Sequence, residues 1–433
     1  MTKTAAPMTS GSIWKQMTFF AMPIFLGNLF QQLYNTVDSL IVGNFLGSSA
    51  LAAVSSSGSL IFMLIGFLSG ISAGAGVIVA RFFGAGDEKN LQRAVHTTVA
   101  FGLVAGVLMT GVGVALSPQI LRWMDTPESV MRESVTYLQI YFAGSLGILQ
   151  AVGDSRHPLY YLIVSSVINL VLDLLFITGF HTGVGGAAVA TVISQIVSAL
   201  LCFWQLLRTK ESYGLKIRKI RFDKGILVQI IKIGLPSGVQ NSIIAFANVI
   251  VQSNINAFGE MAMAGYGAYT KVEWFGFLPI NSFTMALTTF VGQNLGAKQE
   301  ERTRKGARFG ILAAVILAEL IGVVVFLLAP QLIAAFDSSP EIIRFGVEKA
   351  RTAALFYCLL AFSHSIAAIL RGAGKTMVSM IIMMMCWCVI RVSFLSVMIP
   401  LTHSIQAVYW VYPLTWSLSS LAFFWYYKKA KWI

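Results

Sequence analysis

Long apolar stretches alternate with short polar breaks from one end of the chain to the other. Most hold about 20 or more predominantly apolar residues, enough for a helix to cross about 30 Å of hydrocarbon. Their boundaries predict about twelve membrane spans, at 14–43, 51–83, 95–117, 129–152, 159–179, 185–207, 226–258, 262–296, 307–329, 341–370, 377–400 and 406–427. The breaks are not equivalent. Of 31 Lys and Arg residues, 23 lie at the two termini and in or near every second break, and five in or near the alternate breaks. Because Lys and Arg near span ends accumulate on the cytoplasmic side, both termini are expected in the cytoplasm, and the chain in the inner (plasma) membrane. The first stretch is too long for a signal-peptide core and lacks its small-residue exit, so it is expected to remain as the first span.

Composition narrows the function classes. The chain is 56% apolar and 11% charged, with a mean hydropathy of +0.75. A net charge of +13 would ordinarily raise nucleic acid as a partner, but topology already accounts for the basic loops, and no nucleic acid is expected. The sequence has no phosphate loop of the G-x-x-x-x-G-K-[ST] type, and its five histidines are scattered without ligand spacing. Neither an enzyme, a cofactor nor a metal site is expected. The four cysteines fall inside spans and read as small apolar helix residues.

The chain repeats itself. Met22-Pro23 matches Leu235-Pro236, Gly66-Phe67-Leu68 matches Gly276-Phe277-Leu278, and Val79 with Gly84-Ala85 matches Val291 with Gly296-Ala297. A third block, Gly153-Asp154-Ser155, corresponds to Gly374-Lys375-Thr376 at a larger offset, which makes the fourth span about eight residues shorter than the tenth. That difference is either a truncated helix or a segment missing after Leu146. Six spans per half give both halves the same orientation, so the expected fold is all-α: two six-helix bundles, 1–207 and 226–433, related by a pseudo-two-fold axis along the membrane normal. The basic stretch 208–225 is the linker.

This ordered set, with Met22-Pro23, Asn35-Thr-Val-Asp38 and Gly153-Asp154-Ser155-Arg156, resembles the multidrug and toxic compound extrusion (MATE) transporters. It looks closest to the bacterial branches of the DNA-damage-inducible and staphylococcal multidrug exporters. The resemblance covers nearly the whole chain and implies a monomeric secondary antiporter that exports amphipathic organic cations in exchange for H⁺ or Na⁺.

Charge inside hydrocarbon is expensive and normally faces a partner or a wet cavity. Asp38, Asp173 and Thr191 lie at one depth on spans one, five and six, with Asn169 one turn from Asp173 and Asn35 three residues from Asp38. Two carboxylates facing one dry cavity suit a cation, either a proton or Na⁺ held by carboxylate, amide and hydroxyl oxygens. The resemblance places the family's N-terminal cation site on Asp38, Asn169, Asp173 and Thr191. The second half has lost the acidic pair: Asp38 maps near Val251 and Asp173 near Phe394. Lys271 and Glu273 read as a mutually compensated pair, with Arg391 as another partner for Glu273 and Glu319 facing a neighbouring helix. Lys232 also lies within a span.

Pro23 and Pro236 occupy equivalent positions and can hinge or kink their spans. In the implied fold Phe30, Tyr34, Tyr266, Tyr269, Glu273, Trp274 and Phe277 line a substrate cleft that attracts organic cations by apolar contact and cation–π interaction. Two other classes stay open. A flippase for a lipid-linked saccharide would need a cationic cavity for pyrophosphate, and a channel would need a pore-lining charge ring.

Overall fold

A computed structural model describes residues 8–123, 128–143, 156–430 and 432. Every regular element among them is helical: α1 (Ile13–Ala85), α2 (Glu88–Trp123), α3 (Glu128–Ala143), α4 (Arg156–Leu174), α5 (Gly183–Arg208), α6 (Lys224–Asn256), α7 (Glu260–Gly296), α8 (Glu300–Ala334), α9 (Pro340–Ala354), α10 (Tyr357–Gly372), α11 (Thr376–Met383), α12 (Arg391–Thr402) and α13 (Gln406–Lys429). Eight helical stretches among the described residues are long and apolar enough to cross a membrane, or nine if the bent pair α9 and α10 counts as one.

The packing is that of a protein whose solvent is lipid. Along α8, Gly306, Ala307, Gly310, Ala314, Ala318 and Gly322 face inward, while Leu312, Ile316, Leu320, Val324 and Leu327 are each more than half exposed. Small residues let helices approach closely where lipid tails offer no hydrophobic drive between helices. A Cβ on Gly322 would overlap the carbonyl oxygen of Ala354.

The expected first two spans form one continuous helical run, α1, of 73 residues. A straight helix of that length would extend about 110 Å. Yet Met8, just before its start, donates its backbone N–H to Gln293 Oε1 at 2.7 Å, and a Cβ on Gly84, at its far end, would overlap the Gln293 carbonyl oxygen. Both ends meet at one residue, so the run folds back on itself, as two spans require. The predicted spans 14–43 and 51–83 leave a break at 44–50, which falls within this one helical run.

Two compact units emerge. One contains Leu26–Leu68 and Gly86–Lys232; the other contains the segment ending at Phe25, Ser69–Ala85 and the chain from Ile233 onward. In the second unit Arg302 clamps the start of the chain, donating to the carbonyl oxygens of Met8, Ser10 and Gly11 at 2.8–3.2 Å. In the first, α2 starts on an Asp87 cap that accepts from Asn90 N–H at 3.0 Å, and hydrogen bonds from Asn90 hold this carboxyl below the usual carboxylate range.

The expected tenth span is α9 and α10 with a 55° bend between them. Its counterpart in the first half begins as α3. The interval 144–155, with the shortened fourth span and the Gly153-Asp154-Ser155 block, lies outside the described residues. Helices α1 and α6 continue through Pro23 and Pro236.

Candidate functional site

Three helices of the first unit bring the expected polar cluster together. From α1 comes Asp38, from α4 come Asn169 and Asp173 one turn apart, and from α5 comes Thr191. Asp173, Asn169 and Thr191 are buried, at 0%, 1% and 5% exposure. The Asp38 and Asp173 carboxyl groups lie within hydrogen-bonding reach of each other. A bond between two carboxyls needs a proton on one of them, since an ionised carboxylate only accepts.

The Asn169 amide orientation follows from its neighbours. With its nitrogen toward Asp173 it donates to Oδ2 at 3.0 Å, and its oxygen accepts from the Thr191 backbone N–H at 3.2 Å. The Thr191 hydroxyl donates to the Ala187 carbonyl oxygen at 3.0 Å, which fixes its lone pairs. One oxygen on each carboxyl, Asp38 Oδ1 and Asp173 Oδ1, is buried without a hydrogen-bond donor. Buried acceptors left open in this way suit a cation, and the donor set, all oxygen, suits H⁺ or Na⁺. Asn35 is exposed and accepts from Gln31 at 3.4 Å.

A five-residue π-helical segment, Leu175–Gly179, follows directly after α4 and Asp173. The other π-helical segment among the described residues, Met384–Ile390, leads directly into Arg391. Such bulges are rare and cluster at functional sites. Each adjoins a buried charged residue.

The interior of the second unit holds a different network. Tyr269 donates to Glu273 Oε1 at 2.6 Å and lies 3.1 Å from the Tyr357 hydroxyl. Tyr266 and Tyr412 share a 2.6 Å hydrogen bond. Arg391 donates to Asn248 at 3.2 Å and to Thr415 at 3.1 Å, with its guanidinium 4.6 Å from the Tyr412 ring centre. Lys349 is fully buried with no hydrogen-bond acceptor on its ammonium. It stands 3.4 Å from the centre of the Tyr412 ring, a desolvated cation–π contact.

Several expectations change here. Lys271 and Glu273 do not pair, because residues two apart point to different faces: Lys271 is exposed against the Phe336 ring at 5.3 Å, and Glu273 turns inward. Glu319 accepts from the Cys358 backbone N–H on α10 at 3.3 Å, facing a neighbouring helix as expected. Of the aromatic residues, Tyr266 and Tyr269 are buried, Phe277 packs on Tyr357 at 5.2 Å, and Phe30 and Trp274 are exposed at 39% and 38%. Tyr34 is half-buried. The sequence reading missed Lys349, which looks like one more cation at a span end; its position well inside the stretch 341–370 was the available signal.

The MatE family pattern matches residues 23–175 and 236–397. The chain is 30% identical to the probable multidrug resistance protein YoeA of Bacillus subtilis over 96% of its own length and 94% of that protein's. It is 26% identical to the probable multidrug resistance protein NorM of Thermotoga maritima, covering 86% and 82%. It is 24% identical to the multidrug export protein MepA of Staphylococcus saprophyticus, covering 77% and 75%. A solved multidrug resistance MATE transporter of the MOP superfamily, in an outward-facing conformation, superposes with a TM-score of 0.91 at 24% identity, covering 99% and 98%.

Proposed function

Since the chain belongs to the MatE family of multidrug transporters, we propose that it is a secondary antiporter that exports amphipathic organic cations in exchange for H⁺ or Na⁺. The observation that carries this reading is the Asp38–Asp173 pair with its two open buried oxygens. A coupling ion moves a conformational equilibrium only through its differential affinity for the two states. A carboxyl pair supplies that difference, because burying an uncompensated charge costs several kcal/mol and a bound cation removes it. Asn169 fixes Asp173, Thr191 fixes Asn169, and Na⁺ or a proton would be held at Asp38 and Asp173. Pro23, about four turns from Asp38 on the same helix, is the hinge that turns neutralisation into bending, with Pro236 its counterpart.

Drug contact is assigned, as the family resemblance implies, to Phe30, Tyr34, Tyr266, Tyr269, Glu273, Trp274 and Phe277. The two six-helix halves, 1–207 and 226–433, are joined by the linker 208–225 in the inner membrane, with both termini cytoplasmic and the monomer as the working unit. The relatives are described as multidrug resistance or export proteins, which favours drug export over a saccharide-lipid flippase.

The test is efflux of a lipophilic fluorescent cation from proteoliposomes under an imposed H⁺ or Na⁺ gradient. Asp38→Asn should abolish gradient-driven efflux while binding of the cation persists. Undiminished efflux would overturn the proposal.

A further inference from the structure

The linker between the halves is strapped to α2 rather than left loose. The Ser212 hydroxyl donates to Glu88 at 2.9 Å, and Gln92 donates to the Ser212 carbonyl oxygen at 3.2 Å. The backbone N–H of Lys216 donates to His96 Nε2 at 3.0 Å, and that of Asp223 to the Thr97 hydroxyl at 3.1 Å. His96 is therefore a neutral imidazole accepting at Nε2, with Nδ1 facing the Gln92 carbonyl oxygen at 2.6 Å.

Beneath this strap lies a concavity of about 1000 Å³, lined by six cationic side chains, Lys89, Arg93, Arg218, Lys219, Arg221 and Lys224, and by two acids, Glu88 and Asp223. Both acids are already engaged: Glu88 by Ser212, and Asp223 by Arg93 at 3.7 Å and by the Ile226 N–H at 3.1 Å. All six cations are exposed, and the Arg93–Asp223 pair is the one ion pair among these described residues. Membrane topology asks for cations near span ends. It does not ask that six of them converge on one hollow held open by side-chain hydrogen bonds. Beside them two large apolar side chains stand in the open, Phe222 at 45% and Ile217 at 61% exposure.

We infer that this hollow binds the phosphate headgroup of an anionic membrane lipid, with Phe222 and Ile217 meeting the glycerol and upper acyl region. Arg221 and Lys224 flank the start of α6, Arg218 and Lys219 sit on a single 3₁₀ turn, and Lys89 and Arg93 rise from the first turns of α2, so the charge approaches the hollow from three elements. Guanidinium forks bind phosphate oxygens bidentately. A soluble phosphate would be drawn by the same cations but has no use for the exposed Phe222 and Ile217. The bound lipid would fasten linker and α2 to the inner leaflet, independently of the compound exported.

The experiment uses the full chain purified into detergent and measures retained lipid by native mass spectrometry, with phosphatidylglycerol, phosphatidylcholine and inorganic phosphate as probes. The protein should retain phosphatidylglycerol in preference to phosphatidylcholine. Each cation removed should weaken retention roughly fivefold, so Arg218→Gln with Arg221→Gln should lose more than about tenfold. Arg218→Lys with Arg221→Lys should lose less than the double glutamine variant, since the charge stays and only the bidentate geometry goes, and Phe222→Ser should lower binding with every charge in place. Equal retention of the two lipids, or unchanged retention in the double glutamine variant, would overturn the inference. Full displacement of phosphatidylglycerol by excess inorganic phosphate would overturn the lipid assignment in favour of a soluble phosphate. Should the double variant fail to fold, the lipid preference and phosphate competition of the unsubstituted protein decide the matter.

Discussion

Gly84 and Gly296 sit reciprocally in one helix crossing. A Cβ on Gly84 would overlap the carbonyl oxygen of Gln293, and a Cβ on Gly296 would overlap the carbonyl oxygen of Arg81. Each glycine thus touches the residue three positions before the other, and the two pairs are related by the same offset that relates the sequence repeats. The internal symmetry is physically present at this contact, where two backbones meet without side chains between them.

Gly84→Ala should force the crossing apart, because the obstacle is backbone and cannot rotate away. The expected loss is about 1–3 kcal/mol of stability in this closed arrangement. Gly76→Ala is the control: it lies on the same helix with nothing within 4 Å of the added methyl, and should be neutral or stabilise by about 0.5–1 kcal/mol. Thermal unfolding in detergent and spin-label distances between α1 and α7 would read both; equal behaviour of the two variants would contradict the tight crossing.

The sequence shows the repeat of Gly-Ala before a charged loop but not this contact, since spacing says nothing about which backbones approach. Helical class, span positions and the meeting of Asp38, Asn169, Asp173 and Thr191 were legible because depth and helical period are one-dimensional quantities. Asn35, grouped with them because it lies three residues from Asp38, is exposed on the helix surface. Lys349 and its tyrosine cage were not legible. Their partners come from α7, α9, α10 and α13, and only tertiary packing brings these together. The bend between α9 and α10 has no proline to announce it.

Asn169→Ala should weaken ion coupling more than Thr191→Val. Losing a hydrogen bond to a charged group costs about 1.5–3 kcal/mol, equivalent to roughly ten- to a hundredfold in affinity for the coupling ion. The Thr191 side chain bonds the Ala187 carbonyl oxygen, and its backbone N–H, which meets Asn169, survives the valine substitution. Ion-dependent binding of a fluorescent cation in nanodiscs would rank the two; the reverse order would show that Asn169 does not position Asp173.

In the second unit, Lys349→Met should destabilise by about 3–5 kcal/mol, because it removes one of two opposite buried charges and leaves Glu273 less compensated. Glu273→Gln should destabilise by about 3–5 kcal/mol, because it leaves Lys349 and Arg391 as uncompensated buried cations. The double variant should recover much of that loss. Additive melting shifts would mean that the two groups do not sense each other.

Arg302→Ala should release the start of the chain. Four hydrogen bonds from one guanidinium to the Met8, Ser10 and Gly11 carbonyls disappear together. Hydrogen exchange at 8–12 should accelerate by at least tenfold, about 1.4 kcal/mol, with α8 unchanged; equal protection in both proteins would assign the anchoring to Gln293 and Asn294 instead.

Asp38 rides on a helix that is fastened elsewhere at both ends. Its middle, with the carboxyl, packs in one compact unit, while its beginning is clamped near Arg302 and its end is wedged against Gln293 in the other. The path from that carboxyl to both anchor points is therefore covalent, along one run of backbone. Whatever the carboxyl does to its own helix is handed on as tension in a single uninterrupted strand of backbone, the way a bowstring drawn at its midpoint pulls on both tips.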